Sequence, residues 1–302
     1  MAKIILANDG IAASAKAILE EKGYEVDTHH YEGDELVNRL REVDCIVVRS
    51  ATKIRETLID KVVDSKLKLI IRAGVGVDNI DVMYAESKGF IVRNTPNSSS
   101  ASVAELAIGS MFTLARHIHI ANVTMRNGEW NKKQYKGTEI NGKTLGLIGF
   151  GRISREVAKR ALALGMSVNY YDMAGASDLM PECNYLEFDE LLASADYISL
   201  HIPFNKQVGA VIDEAAFAKM KDGVYLIHTA RGGVVSESAL LNALDSGKVA
   251  GAALDVFEEE PTKNARIYTH DKISLTPHIG GSTNEAQDRI GLETISVIEE
   301  CI

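Results

Sequence analysis

The sequence predicts an α/β protein of two doubly wound parallel-sheet domains, and three observations carry that expectation. Short strand-like runs alternate with amphipathic helical segments along nearly the whole chain, the pattern of parallel strands joined by crossover helices. The alternation occurs twice, separated at 94–100 by Asn-Thr-Pro-Asn-Ser-Ser-Ser, where turn-forming residues break both periodicities. The length of 302 residues, 46% of them hydrophobic, is enough for two cores at about 150 residues per domain.

Taken in order, the runs at 4–7, 25–29, 45–48, 69–71 and 91–92 read as strands, and the segments at 12–22, 33–40 and 55–63 as the helices between them. After the turn-rich break a single long helix is expected from about 102 to 127, ended by Asn127-Gly128, with a polar loop at 131–142. The second series begins with a strand at 144–148 and a helix whose apolar face is Ile153, Val157, Ala161 and Leu164, followed by a strand at 167–171. It continues with helices at 188–194, 213–218 and 236–247 and strands at 197–200, 224–228, 251–254 and 273–275. The last segment, 283–300, is helical, with Ile290, Ile295 and Ile298 on one face, and is expected to return to the first domain. The domains expected are therefore 1–96 with 283–302, flavodoxin-like, and 97–282.

The turn at 149–154, Gly-Phe-Gly-Arg-Ile-Ser, lies between the strand at 144–148 and its helix. It is a G-x-G-x-x-G pattern with serine in the third place. One glycine permits the tight turn, the next lets backbone amides approach a pyrophosphate, and a small residue is needed where helix meets strand. Asp172 follows the next strand, 23 residues after Gly149, close to the roughly 20 expected of an acid that bonds an adenosine ribose. Strand, turn, helix, strand and acid together make the second domain a Rossmann dinucleotide-binding one. The carboxylate repels a 2′-phosphate and Met173-Ala174 supply no arginine to receive one, so NAD is expected over NADP.

Composition excludes other classes. Net charge is −9 without a concentrated basic tract, which argues against a nucleic-acid footprint. The three cysteines, Cys45, Cys183 and Cys301, are scattered without C-x-x-C spacing, so neither a disulfide framework nor a zinc site is indicated. His29-His30 and His117-Ile118-His119 do not place two ligands on one helical face, and no metal is expected. No apolar run approaches ~18 residues and the N-terminus has no signal-peptide layout, so a soluble cytoplasmic protein without membrane partners is expected.

Several blocks in order carry a family resemblance: VVRSATKI at 47–54, RAGVGVDNID at 72–81, NTPN with a Ser/Ala run and AEL at 94–106, NGKTLGLIGFGRI at 141–153, HTARGGVV at 228–235, GAALDVFEEEP at 251–261 and PHIGGST at 277–283. On these blocks the chain resembles the D-isomer-specific 2-hydroxyacid dehydrogenases over nearly its whole length, and within them the branch that oxidises 3-phosphoglycerate. The resemblance implies transfer of a hydride from 3-phosphoglycerate to NAD, giving 3-phosphohydroxypyruvate at the entry to serine synthesis. A glyoxylate or hydroxypyruvate reductase is the alternative within the class, and an NAD-sensing corepressor the alternative outside it. The chain stops at Ile302, so the serine-sensing domain appended in longer relatives is not expected.

Oxidising a 2-hydroxy acid requires removal of the hydroxyl proton, a hold on the carboxylate, and orientation of carbon two. The resemblance assigns these tasks to His278 as acid-base, Glu260 as its carboxylate partner and Arg231 as the bidentate carboxylate clamp. Within the acidic run Glu258-Glu259-Glu260, Glu260 is chosen for its place before Pro261, and Glu259 is the rival. Gly149, Gly151, Arg152 and Ile153 are expected at the pyrophosphate and Asp172 at the ribose. Pro203, Thr229, Ala230, Arg231, Asp255, His278, Gly280 and Gly281 match family positions along the rest of the cofactor. Arg49, Ser50, Arg72, Gly74 and Val75 match substrate contacts. Trp130 and Lys132 match a loop lent to a neighbouring subunit's site, which implies a homodimer through the NAD-binding domain. The departures are Ser154, Val75 where many relatives carry a hydroxyl, and the segment 201–209, which keeps Pro203 but lacks the usual threonine.

Overall fold

The structure, a computed structural model, describes residues 2–302. In chain order the elements are β1 (Ile4–Ala7), α1 (Ala13–Glu21), β2 (Glu25–Asp27), α2 (Gly33–Leu40), β3 (Cys45–Val48), α3 (Glu56–Val62), β4 (Leu69–Arg72), α4 (Val82–Ser87), β5 (Ile91–Asn94), α5 (Ser100–Ala115) and α6 (Ile118–Arg126). Then come β6 (Thr144–Ile148), α7 (Arg152–Ala163), β7 (Ser167–Tyr171), β8 (Asn184–Tyr185), α8 (Phe188–Ser194), β9 (Tyr197–Leu200), α9 (Glu214–Lys219), β10 (Val224–His228), α10 (Glu237–Asp245), β11 (Val249–Leu254), α11 (Ala265–Tyr268), β12 (Ile273–Leu275) and α12 (Asn284–Cys301).

The chain divides into two compact units, residues 1–99 with 281–302, and residues 100–280. The first holds a parallel five-stranded sheet in the order β2-β1-β3-β4-β5, the flavodoxin-like order. Its helix α12 packs on α1, where Gly291 leaves room for Ala15: a Cβ on that glycine would lie 2.7 Å from the Ala15 Cβ. The second unit holds a parallel seven-stranded sheet, β12-β11-β10-β9-β6-β7-β8. Counted from β6 this is the Rossmann order 3-2-1-4-5-6 with one strand added, and its topological switch falls between β6 and β9.

Both sheets are covered on both faces, and the strands show it residue by residue. Leu147 and Ile227 point into one apolar cluster while Ile148 and Leu226 point into the other. In the first unit Leu6 and Ile46 face one side, and Ile5 and Val47 the other. Because successive side chains alternate faces and both faces are apolar, the strands read as unbroken hydrophobic runs. Removing the Leu226 side chain, which is fully buried, would cost about 2–5 kcal/mol.

The structure corrects the reading of one long helix at 102–127. It is two helices, because the returning loop takes the carbonyl that α5 would use to continue: Thr138 N–H donates to Ala115 O at 2.9 Å. A side chain at Gly137 would lie 2.2 Å from that oxygen. His117 then adopts φ 55° and restarts the chain as α6. The sequence reading also lacked α4, β8 and α11, which have six, two and four residues, too few for a period to show.

Candidate active site

The turn after β6 has the properties the glycines were expected to supply. Gly149 has φ 87°, and a Cβ there would lie 2.7 Å from the His201 carbonyl oxygen, so this position requires glycine. Gly151 caps α7 in an ordinary extended conformation, and nothing lies within 4 Å of where its Cβ would be. The space in front of it is open, no side chain caps α7, and no acid stands in its first turn. The helix thus presents uncapped N–H groups and the positive end of its dipole, an anion site that fits a pyrophosphate. Ser154 is fully buried on the inner face of α7, the place where the pattern calls for a small residue. Asp172 follows β7, accepting from Phe150 N–H at 2.7 Å and Ala174 N–H at 2.9 Å.

The catalytic candidates come from three neighbouring strand ends. Arg231 follows β10, Glu260 lies in the loop after β11, and His278 follows β12, where ligands meet an open parallel sheet. Glu260 Oε2 lies 2.7 Å from His278 Nδ1, and Glu260 Oε1 accepts from Phe257 N–H at 3.1 Å. Burial pushes the Glu260 carboxyl up, but the bond and charge of His278, the Phe257 N–H and the charge of Arg231 outweigh it, and the net direction is down. The structure therefore gathers Arg231, Glu260 and His278 into one electrostatic group.

The acidic run resolves into three separate partnerships. The Glu258 carboxylate accepts from the Glu237 N–H at the start of α10 at 2.9 Å, and the Glu237 carboxylate accepts from the Glu258 N–H at 3.0 Å. Glu259 pairs with exposed Lys263 at 2.6 Å, and only Glu260 is bonded to His278. The helix start at Ser236-Glu237 was visible in the sequence, but its partner 21 residues on was not.

Asp255 has a role the sequence reading did not supply. It is 2% exposed and accepts from Thr276 Oγ1 at 2.6 Å and from the N–H groups of Ile279 and Gly280, each at 2.9 Å. The carboxylate pins the loop on both sides of His278, whose φ of 53° is a strained value for a side-chain-bearing residue. Thr229 and Ala230 are buried beside Arg231, and the Thr229 hydroxyl finds no protein partner. Pro203 and Lys132 are exposed, and Trp130 is 77% exposed.

Two further histidines lie beneath these loops. His228 is the last residue of β10 and 3% exposed. Burial holds its pKa at about 3, against the opposing pull of the Arg231 backbone and Glu260. Burial and the neighbouring His228 push His201 down to about 3 as well.

In the first unit, Arg49 and Arg72 stand at the ends of adjacent strands, with Val48 opposite Arg72 in the register. Buried Asp9 accepts from the N–H groups of Arg49 at 2.7 Å and Thr52 at 3.0 Å, fixing the loop that includes Ser50. The Arg49 guanidinium bonds Gln287 of α12. Arg72 donates to Ala73 O at 3.2 Å, and a Cβ on Gly74, φ 146°, would fall 1.4 Å from its Nη1. Val75 O accepts from Asn94 Nδ2 at 2.6 Å. Asp9 was missed in the sequence because nothing local marks an acid whose partners lie 40 residues away.

The chain is similar to proteins of one family. Residues 108–280 match the family described as D-isomer specific 2-hydroxyacid dehydrogenase, NAD binding domain. A hydroxypyruvate reductase of Thermotoga maritima is 48% identical over 295 residues, covering 96% of this chain and 95% of that protein. A D-3-phosphoglycerate dehydrogenase of Methanocaldococcus jannaschii is 44% identical over 290 residues, 95% of this chain but 55% of its own length. The chain thus spans about half the length of such dehydrogenases. Among solved structures, the D-lactate dehydrogenase of Aquifex aeolicus with NAD and lactic acid superposes with a TM-score of 0.85 at 34% identity, covering 98% of this chain and 94% of that one. With the family's NAD-binding domain matched over more than half its residues and relatives aligned over nearly all of them, the chain belongs to the D-isomer-specific 2-hydroxyacid dehydrogenases.

Proposed function

We propose that this NAD-dependent D-2-hydroxyacid dehydrogenase acts on an acid bearing a second anionic group, 3-phosphoglycerate, at the entry to serine synthesis. The observation that supports the reading is the pair Arg49 and Arg72 on adjacent strand ends. Two guanidinium groups on neighbouring loops suit a phosphate dianion better than a neutral hydroxymethyl group. Arg231 takes the carboxylate. His278 removes the hydroxyl proton through Nε2, while Glu260 on Nδ1 orients the ring and stabilises the imidazolium that forms. NAD, when bound, accepts the hydride; Gly149, Gly151, Arg152 and Ile153 hold its pyrophosphate and Asp172 its ribose. Thr229, Ala230, Pro203, Asp255, Gly280 and Gly281 line the remainder.

The second reading, reduction of hydroxypyruvate or glyoxylate, is favoured by the Thermotoga maritima relative, which matches over 95% of its own length. Steady-state kcat/KM for 3-phosphoglycerate with NAD, and for hydroxypyruvate and glyoxylate with NADH, separates the two. A preference for the unphosphorylated acids, unaffected by Arg49→Ala or Arg72→Ala, would replace the first reading with the second.

The enzyme works as a homodimer through its NAD-binding unit, with Lys132 supplied to the partner's site. Supporting this, α6 buries none of its residues, and Ile118, Val123 and Met125 are each more than 50% exposed, next to Trp130. Exposed apolar side chains on a helix that buries none of its residues suit a contact surface. Light scattering gives the mass, and a Val123→Glu protein that stayed dimeric would exclude this face. Three free cysteines fit a reducing compartment, and we place the enzyme in the cytoplasm. No helix among the described residues is long and apolar enough to cross a membrane.

A further inference from the structure

We propose that Arg155 is a positioning residue for the cofactor turn, acting through the Phe150–Gly151 peptide. Phe150 is the middle residue between the two glycines, and both of its backbone polar groups are held by side chains. Its N–H donates to Asp172 Oδ2 at 2.7 Å, and its carbonyl accepts from Arg155 Nη1 at 2.8 Å. Its ring is buried and stacks on Tyr170 at 3.7 Å between centroids, with planes 12° apart. The residue is thereby fixed at three points, whereas the glycines on either side have backbones free of Cβ restraint.

The geometry is that of a helix staple made polar. With Gly151 as the cap of α7, Phe150 and Arg155 occupy the positions where two apolar side chains commonly pack to set the entry angle of the chain. Here a guanidinium reaches back to the carbonyl instead. The placement has an electrostatic cost. Arg152 and Arg155 bring two positive charges to the start of α7, where the helix dipole is already positive and the first turn carries no acid of its own, Asp172 before the cap countering only part of it. That cost is offset when the cofactor's diphosphate arrives, so the arrangement disfavours the empty turn and favours the filled one. One residue joins the two recognition points: Asp172 holds the Gly149–Phe150 peptide by the Phe150 N–H, and Arg155 holds the Phe150–Gly151 peptide by its carbonyl and so aims the Gly151 N–H, the first of those that would face the pyrophosphate.

The test is a thermodynamic cycle on NADH affinity, read by cofactor fluorescence on the full-length enzyme. Arg155→Met removes the bond while keeping an aliphatic stem, and the expected result is a dissociation constant raised about ten-fold or more, as for loss of a charge-assisted bond. At saturating cofactor kcat stays within about two-fold, because no reacting atom is touched. Asp172→Asn and the double variant complete the cycle. Since the two side chains hold the consecutive peptides on either side of the Phe150 Cα, the double variant should lose several-fold less than the product of the two single losses. Arg155→Lys keeps the charge without the planar fork, should recover only a fraction of the affinity, and serves alone if the Met variant does not fold. Multiplicative losses, full recovery by lysine, or an unchanged dissociation constant would each overturn the proposal, the second by showing that charge acts directly on the diphosphate.

Discussion

Acid should unfold the NAD-binding unit earlier than its carboxylates alone would dictate, and His228 should be a principal cause. Its pKa is held at about 3, from an ordinary value of 6.5, because the ring is buried at the end of β10. A histidine whose folded pKa is depressed contributes full stability above its unfolded pKa, and that contribution falls as pH drops from about 6.5 toward 3. At pH 5 the deficit is about 2 kcal/mol for His228 and a similar amount for His201, a large part of the usual 5–15 kcal/mol total. The carboxylates of this unit with lowered pKa, Asp196 and Glu260, lose their contribution only below about pH 4.5, as do Asp27 and Asp44 in the first unit, so the interval from pH 7.5 to 5 isolates the histidines. His30 works in the opposite sense, because the Asn8 carbonyl and Glu32 raise its pKa. The assay is urea unfolding at the two pH values, followed in the near-UV dichroism of the stacked Tyr197–Tyr225 pair on β9 and β10, 4.9 Å between centroids. His228→Asn should lower stability at pH 7.5 by leaving a cavity, yet lose about 2 kcal/mol less than the parent on moving to pH 5. Equal pH-dependent losses in the two proteins would refute the reasoning.

Gly151→Ala should fold with stability within about 0.5 kcal/mol of the parent, since its Cβ meets nothing, yet weaken NADH binding at least ten-fold in fluorescence titration. Gly149→Ala should instead lower the melting temperature, because its Cβ would strike the His201 carbonyl at positive φ. Glu260→Gln should reduce kcat by about 10²-fold while Glu259→Gln stays within two-fold, given that only the former bonds His278; equal effects in initial-rate assays would reverse the assignment. Arg231→Ala should cost about 10²-fold or more in kcat/KM for the acid, and normal turnover would exclude the carboxylate clamp.

What was legible in the sequence follows from range. The parallel strands showed because burial on both faces leaves an unbroken apolar run at 45–48 or 144–148 that needs no partner to recognise. The glycine turn and Asp172 showed because pyrophosphate and ribose lie a fixed distance apart along one strand-turn-helix-strand unit. The break between α5 and α6 did not show: Arg116 and His117 are ordinary helix formers, and the cause is Thr138, more than twenty residues on, capturing the Ala115 carbonyl. The same holds for Asp255, matched only to a cofactor position, and for Glu258, one of an acidic run: each satisfies backbone donors more than twenty residues away.

Those long-range bonds explain how three catalytic loops from three strands keep one geometry. Gly232 lies so close to the loop after β11 that a Cβ would sit 1.7 Å from the Phe257 carbonyl oxygen, which fixes the Arg231 turn against Phe257. The Phe257 N–H binds the Glu260 carboxylate, whose other oxygen binds His278, and Asp255, two residues before Phe257, binds the loop on both sides of that histidine. The proposed clamp, carboxylate and acid-base are thus indexed to one short stretch, 255–260, rather than to the sheet separately. A displacement of about 1 Å at a reacting group can cost 10²-fold in rate, and strand ends with independent loops would not hold that tolerance. The acidic run after β11 is therefore the common reference of the candidate site, and Glu260 is the one member to which the proposed function also gives a part in the chemistry.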